Sequence, residues 1–239
     1  MSLIQPFYRT DYVGETINYY DEDGKSFSYF VKPRENVFMK SNVTSAIILG
    51  NGLTRNYNDI KLLLKTNANK YAEGYKLVYA CNRAVSDEET YDYYVLKHSV
   101  FMSGIHQERK GQVYLPYNIF MTYKDDCNVL PYISYFDSGA SAAYLSCFDG
   151  HKKVFLIGFD GDYGNKWQTV YDGTFPYIEE NLEVQLKTSQ DYLHNVMSVY
   201  KDVEFYRIQM DAQEPADSWQ SLPNFHNVTL REAVLAGDF

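Results

Sequence analysis

The sequence predicts an α/β protein, a mostly parallel sheet with helices on both faces, preceded by an N-terminal β-hairpin. Three observations predict it. Short apolar runs recur at residues 46–50, 76–81, 153–160 and 203–208, and read as buried strands of a parallel sheet. Helical segments stand between them at 58–65, 138–148 and 189–200. A length of 239 residues with 45% hydrophobic content accommodates one such domain and its core. We therefore divide the chain into a β-rich appendage, residues 1–40, and an α/β domain, residues 41–239.

The elements follow in order. Thr16-Ile17-Asn18-Tyr19-Tyr20 and Ser26-Phe27-Ser28-Tyr29-Phe30-Val31 flank Asp21-Glu22-Asp23-Gly24, whose Asp-Gly end is a hairpin turn; the hairpin is expected to cover an edge or a face of the main sheet. Residues 46–50 form the first strand of the α/β pattern, and 58–65 a helix that Asn58 or Asn56 can cap. After the strand at 76–81, Tyr93–Leu96 and Ser99–Met102 suggest a further strand region, and residues 112–116 a short one that Pro116 ends. The small-residue segment 138–148 predicts a helix packed closely on the sheet. Residues 161–167 and 173–177 read as a loop or lid, 189–200 as an amphipathic helix, 203–208 as a last strand, and 227–235 as a short helical segment.

Composition narrows the function. A formal charge of −9 disfavours a dedicated nucleic-acid or anionic-membrane binder, although a local nest of N–H groups can still hold a small anion. The 24 tyrosines suit half-buried faces with wet hydroxyls, or a cleft that stacks bases and sugars. Cys81, Cys127 and Cys147 are widely spaced and form no CxxC pair, so a structural zinc is not expected and a reducing compartment is. The opening Met1-Ser2-Leu3-Ile4-Gln5-Pro6 has no signal-peptide pattern, and no apolar run approaches the ~18 residues of a membrane span. We expect a cytoplasmic protein.

The candidate site begins at Gly50-Asn51-Gly52, a glycine turn at the end of a buried strand, where backbone can approach a ligand. The second strand ends in Asn82, not in the acidic residue of a dinucleotide site, and Arg55 stands where a third glycine would be needed. A phosphate-loop lysine is missing as well. In a doubly wound sheet the strand ends converge, gathering Asn51, Asn82 and Asp160 on one rim with Ser138 and Gly139 at a helix N-terminus. Carboxamides suit a ligand presenting both donors and acceptors, such as a pyrimidine and its ribose, and the helix mouths after Gly52 and Gly139 suit a phosphate. A tight strand-to-helix turn without a ligand is the simpler alternative. His98, His106, His151 and His226 lack any metal-binding spacing.

Taken in order, Ile48-Leu49-Gly50-Asn51-Gly52, Ala80-Cys81-Asn82, Ser138-Gly139 and Leu156-Ile157-Gly158-Phe159-Asp160 resemble the bacterial sialyltransferases of the Campylobacter type, which use CMP-sialic acid. They also resemble the wider set of Maf-like and pterin-diphosphokinase-like proteins. The match spans roughly residues 45–210. The resemblance implies a Rossmann-like, GT-A-related fold, with Asn51 and Asn82 at the cytidine monophosphate and Ser138 and Gly139 beside the donor; Gly50, Gly52 and Asp160 complete the candidate nucleotide site. It implies two phenols on the leaving phosphate, best matched by Tyr163 and Tyr171 with Tyr177 in reserve, and no tightly held metal. The family's histidine base has no counterpart in 183–191; His194, nearby inside the predicted helix but out of register, is the candidate catalytic base, and Asp191 fits a helix start.

The first reading is thus a glycosyltransferase-like enzyme taking a CMP-linked sugar and a glycan or small-molecule acceptor, with no tightly bound cofactor and a homo-oligomer as an open option. The second is a diphosphokinase-like transferase using ATP and a divalent metal on Asp160 and Asp162. The third is a non-catalytic nucleotide-binding protein of the same fold.

Overall fold

The computed structural model describes residues 15–20, 23–31, 43–67, 74–110, 112–120, 122–123, 125–131, 136–160, 170, 182–210 and 215–239. The expected hairpin is present: β1 (Glu15–Tyr20) pairs antiparallel with β2 (Ser26–Val31). The main body is an eight-stranded sheet. Its strands are β3 (Ser45–Leu49), β4 (Leu77–Cys81), β5 (Tyr93–Val95), β6 (Val113–Leu115), β7 (Asn128–Val129), β8 (Lys153–Ile157), β9 (Glu204–Gln209) and β10 (Phe225–Thr229). They lie in the order β10-β9-β8-β3-β4-β5-β6-β7, and every pairing is parallel. The fold is a Rossmann-like α/β fold.

Parallel strands need crossover connections, and right-handed crossovers running in opposite directions from β3 place helices on opposite faces. The helices are α1 (Asn58–Asn67), α2 (Tyr117–Phe120), α3 (Ser138–Phe148), α4 (Leu182–Val199), α5 (Asp217–Gln220) and α6 (Leu230–Leu235). Apart from Gly139, every residue of α3 is buried; its serines and alanines let it lie close on β3, β4, β5 and β8, with α4 alongside. On that face Tyr79 of β4 donates to Asp149 (2.7 Å) and meets His151 Nε2 (3.0 Å), tying the strand to the α3–β8 turn. The opposite face carries Phe155, which stacks on Tyr206 at 5.3 Å and meets Phe239 at 4.5 Å.

Three expectations change. Ser99–Gly104 is a 3₁₀ helix rather than a strand, closed by Phe101 N–H to His98 and Ile105 N–H to Met102. The reason is that both edges of β5 are already taken, by β4 and β6. Residues 225–229 pair with β9 as an edge strand, so helix α6 starts only at Leu230, where Thr229 and Glu232 form a capping box. Helix α4 begins at Leu182, not 189, because Thr188-Ser189 continues a helix instead of capping one.

The loop that follows β4 is fixed from below by Arg109, which is 1% exposed. Its guanidinium donates to the carbonyls of Val85, Asp87 (2.6 Å) and Glu89 (3.0 Å). Replacing it with methionine leaves those acceptors without a donor, so Arg109→Met is expected to cost about 3 kcal/mol, read from urea unfolding.

Candidate functional site

Strand order reverses at β3: the chain moves outward to β4 and then returns to the other side as β8. The crevice at such a switch point, beyond the carboxyl ends of the strands, is where open α/β sheets bind ligands. Here it is built by two turns that touch through their backbones. Gly50 N–H donates to the Ile157 carbonyl and Gly52 N–H to the Gly158 carbonyl, both at 2.8 Å. A methyl group on Gly50 would stand 2.5 Å from the Gly158 oxygen; one on Gly52 would stand 2.5 Å from Asp160 Oδ2. Gly139 leaves room for the Phe159 ring, 2.9 Å from where its β-carbon would be. These glycines admit the protein's own chain.

The carboxylates at the rim have assigned work. Asp160 accepts from the Thr54 N–H (2.6 Å) and the Thr54 hydroxyl, capping the 3₁₀ helix Leu53–Asn56. Asp137 caps α3, accepting from Ala140 N–H at 2.7 Å. Both helix mouths that the sequence offered for a phosphate are therefore capped by the chain's own acids. Burial raises the Asp137 pKa above its ordinary value, against the lowering effects of the Ser189 hydroxyl, the Ala140 and Gly139 N–H groups and the Lys97 charge. Arg55, 8% exposed, pairs with Asp87 and reaches the Gly50 carbonyl (3.3 Å) and Asn51 Oδ1 (3.4 Å), joining the turns after β3 and β4. Arg207 holds the third turn, its Nε donating to the Phe159 carbonyl at 3.0 Å.

The two asparagines follow neighbouring strands, each two residues beyond the paired Leu49 and Ala80. Asn51 is buried, and its carbonyl accepts from Val170 N–H at 2.8 Å. Asn82 is half-buried with φ of 47°, a left-handed conformation found at no other described residue except glycines. Its Oδ1 accepts from Lys97 N–H at 3.0 Å, and its amide NH2 has no partner among the described residues. Ser138 is buried; its carbonyl accepts from Cys81 Sγ at 3.5 Å, which sets the α3 N-terminus against the end of β4. Gly50, Asn51, Gly52, Asn82, Ser138, Gly139 and Asp160 thus stand together on one rim. His194 does not join them: its Nδ1 meets the Ser218 carbonyl at 2.9 Å, in the half of α4 that leads to β9. Tyr163, Tyr171, Tyr177 and Asp162 lie outside the described residues. No cluster of metal-binding side chains occurs among the described residues.

Two rim residues escaped the sequence reading. Lys97 and His98 follow β5 after Leu96, and their position at a strand's carboxyl end was the available signal. Burial lowers the Lys97 pKa, with Asp137 opposing. Partial burial of the His98 ring, which faces Phe101 at 6.2 Å, and then the Lys97 charge hold its pKa below 6.5. His98 is therefore neutral at pH 7 and able to accept a proton.

No protein-family model and no curated protein matches the chain. Two solved structures are similar to it in backbone. One is the sialyltransferase CstII from Campylobacter jejuni in complex with a substrate analogue, cytidine-5′-monophosphate, at 15% identity and a TM-score of 0.42, covering 69% of this chain and 79% of that one. The other is the sialyltransferase CST-II in complex with a trisaccharide acceptor and CMP, at 15% identity and a TM-score of 0.42, covering 68% and 80%.

Two outcomes follow from the rim's packing. Gly52→Ala is expected to cost about 2 kcal/mol by forcing the turns apart, read from urea unfolding. Asp137→Asn keeps a cap acceptor but removes the ionisation that burial disfavours. Since the folded pKa lies above the unfolded value, the acid's penalty is absent below about pH 3.8 and grows as pH rises through the folded pKa. Thermal scans are expected to show the variant more stable than the parent at pH 7, with the gap closing toward pH 4.

Proposed function

We propose that the rim at the β3–β4–β8 junction binds a nucleotide-activated sugar, CMP-linked, and that the protein is a glycosyltransferase acting from that donor. The observation that carries this reading is Asn82. It follows β4 in a conformation that costs a non-glycine residue energy, its oxygen accepts from Lys97 N–H, and its NH2 has no partner among the described residues. A fixed amide donor of this kind suits the carbonyl or ring-nitrogen acceptors of a pyrimidine. The resemblance of the four rim motifs to the sialyltransferases supplies the identity of the donor.

With both helix mouths capped, the leaving phosphate falls to the Lys97 ammonium and to the Tyr163 and Tyr171 phenols that the resemblance assigns. Positive and hydrogen-bonding groups aimed at the departing oxygen stabilise charge as it develops. The acceptor hydroxyl then attacks the anomeric carbon, the bond to the phosphate oxygen breaks, and His98 takes the hydroxyl proton.

Calorimetric titration with CMP, UDP, and ATP plus Mg²⁺ tests the reading. CMP is expected to bind best, with no requirement for metal. Asn82→Asp keeps the tie to Lys97 but replaces the donor with an acceptor, and is expected to weaken CMP by about tenfold or more. His98→Gln is expected to leave CMP affinity unchanged and to slow sugar transfer by roughly 10²-fold. Absence of CMP binding by the parent chain, or unaltered affinity in Asn82→Asp, removes the proposal.

A further inference from the structure

A second site lies on the face of the sheet opposite α3. A cavity of about 630 Å³ runs between α1 and α6, a volume in the range of small-molecule pockets. Its aliphatic wall is Leu62 and Leu63 from α1, Met210 after β9, and Leu230, Val234 and Leu235 from α6. Leu62 is 63% and Leu235 77% exposed, so the mouth of the cavity is apolar as well.

One polar group stands out in this lining. Lys76, just before β4, is 6% exposed. Its ammonium donates to the Gly74 carbonyl at 3.1 Å and lies over the rings of Phe239 (4.6 Å) and Phe155 (5.6 Å). Among the described residues no carboxylate is within ion-pair distance of it. Asp238, whose charge reaches it, is held by Lys153 Nζ at 2.6 Å, and Arg231 is a second cation in the lining, exposed where Lys76 is buried. Asp59, the other acid in the lining, starts α1, whereas Asn67 at the far end of the helix bonds the Lys76 backbone. A buried cation with no carboxylate at ion-pair distance is costly, and the rings return part of that cost through cation–π attraction. Burial lowers the Lys76 pKa, the direction expected of a charge short of counter-charge.

We propose that this cavity binds an aliphatic carboxylate, its chain along the leucines of α1 and α6 and its head group on the Lys76 ammonium. The charge selects the head and the lining selects the tail. The proposal is independent of the nucleotide reading of the rim.

Dodecanoate, dodecanol and butanoate, titrated into the full chain below their aggregation limits at neutral pH, separate the contributions. Dodecanoate is expected to raise the melting temperature and to bind at least about tenfold more tightly than dodecanol, because the charge-assisted bond is lost in the alcohol. Butanoate is expected to show no measurable binding. Lys76→Met keeps the stem between the two rings and is expected to make dodecanoate and dodecanol equal. A diazirine-bearing dodecanoate, photolysed on the parent chain, is expected to label residues 59–67 and 230–235; this readout does not depend on the variant folding. Equal affinities in the parent chain, undiminished dodecanoate binding in Lys76→Met, no binding at all, or adducts elsewhere would each overturn the proposal.

Discussion

The contact on which the rest of the site depends is the backbone-to-backbone approach of the turns after β3 and β8. Parallel strands normally part at their ends as the chain turns toward its helix. Here the ladder continues past the last strand residues, through Gly50 N–H to Ile157 and Gly52 N–H to Gly158. That continuation requires glycine on both sides, because a β-carbon at Gly50, Gly52 or Gly158 would stand within about 3 Å of backbone or carboxylate oxygen. Once the turns are joined, Asp160 is delivered to Thr54 and Phe159 to Gly139, and the other rim residues take their places around them.

The charges of the rim follow from this closure. Two acids are consumed as caps, Asp160 on the first turn and Asp137 on α3. Two arginines are consumed as struts, Arg55 between the β3 and β4 turns and Arg207 beneath Phe159. Beside them Asn82, Lys97 and His98 stand beyond the carboxyl ends of β4 and β5, with Lys97 N–H donating to Asn82 Oδ1. With both helix termini capped by acids, the rim lacks the strong anion field of an open helix terminus.

The two faces of the sheet differ in packing for a reason visible in their residues. Helix α3 carries alanine and serine where it meets the strands, so helix and sheet approach closely and leave little space. On the other face α1 and α6 present leucine and valine at a distance, with the Phe155, Tyr206 and Phe239 rings grouped to one side. Large side chains that do not meet from opposite walls leave a cavity between them.

The sequence by itself determined the strands at the centre of the sheet, the small-residue helix and the motif order, because buried parallel strands are written as local apolar runs. It also placed Gly50, Asn51, Gly52, Asn82, Ser138, Gly139 and Asp160 on one rim, since strand order alone carries their carboxyl ends together. The tertiary structure decided what pairing partners decide. Ser99–Gly104 coils because β5 has no free edge, and Phe225–Thr229 extends because β9 has one. It decided too that the glycines admit neighbouring chain, that Asp137 and Asp160 close the helix mouths, and that Lys76 faces an apolar cavity. Those contacts join residues as far apart as Thr54 and Asp160, and no local pattern in the chain records such an encounter.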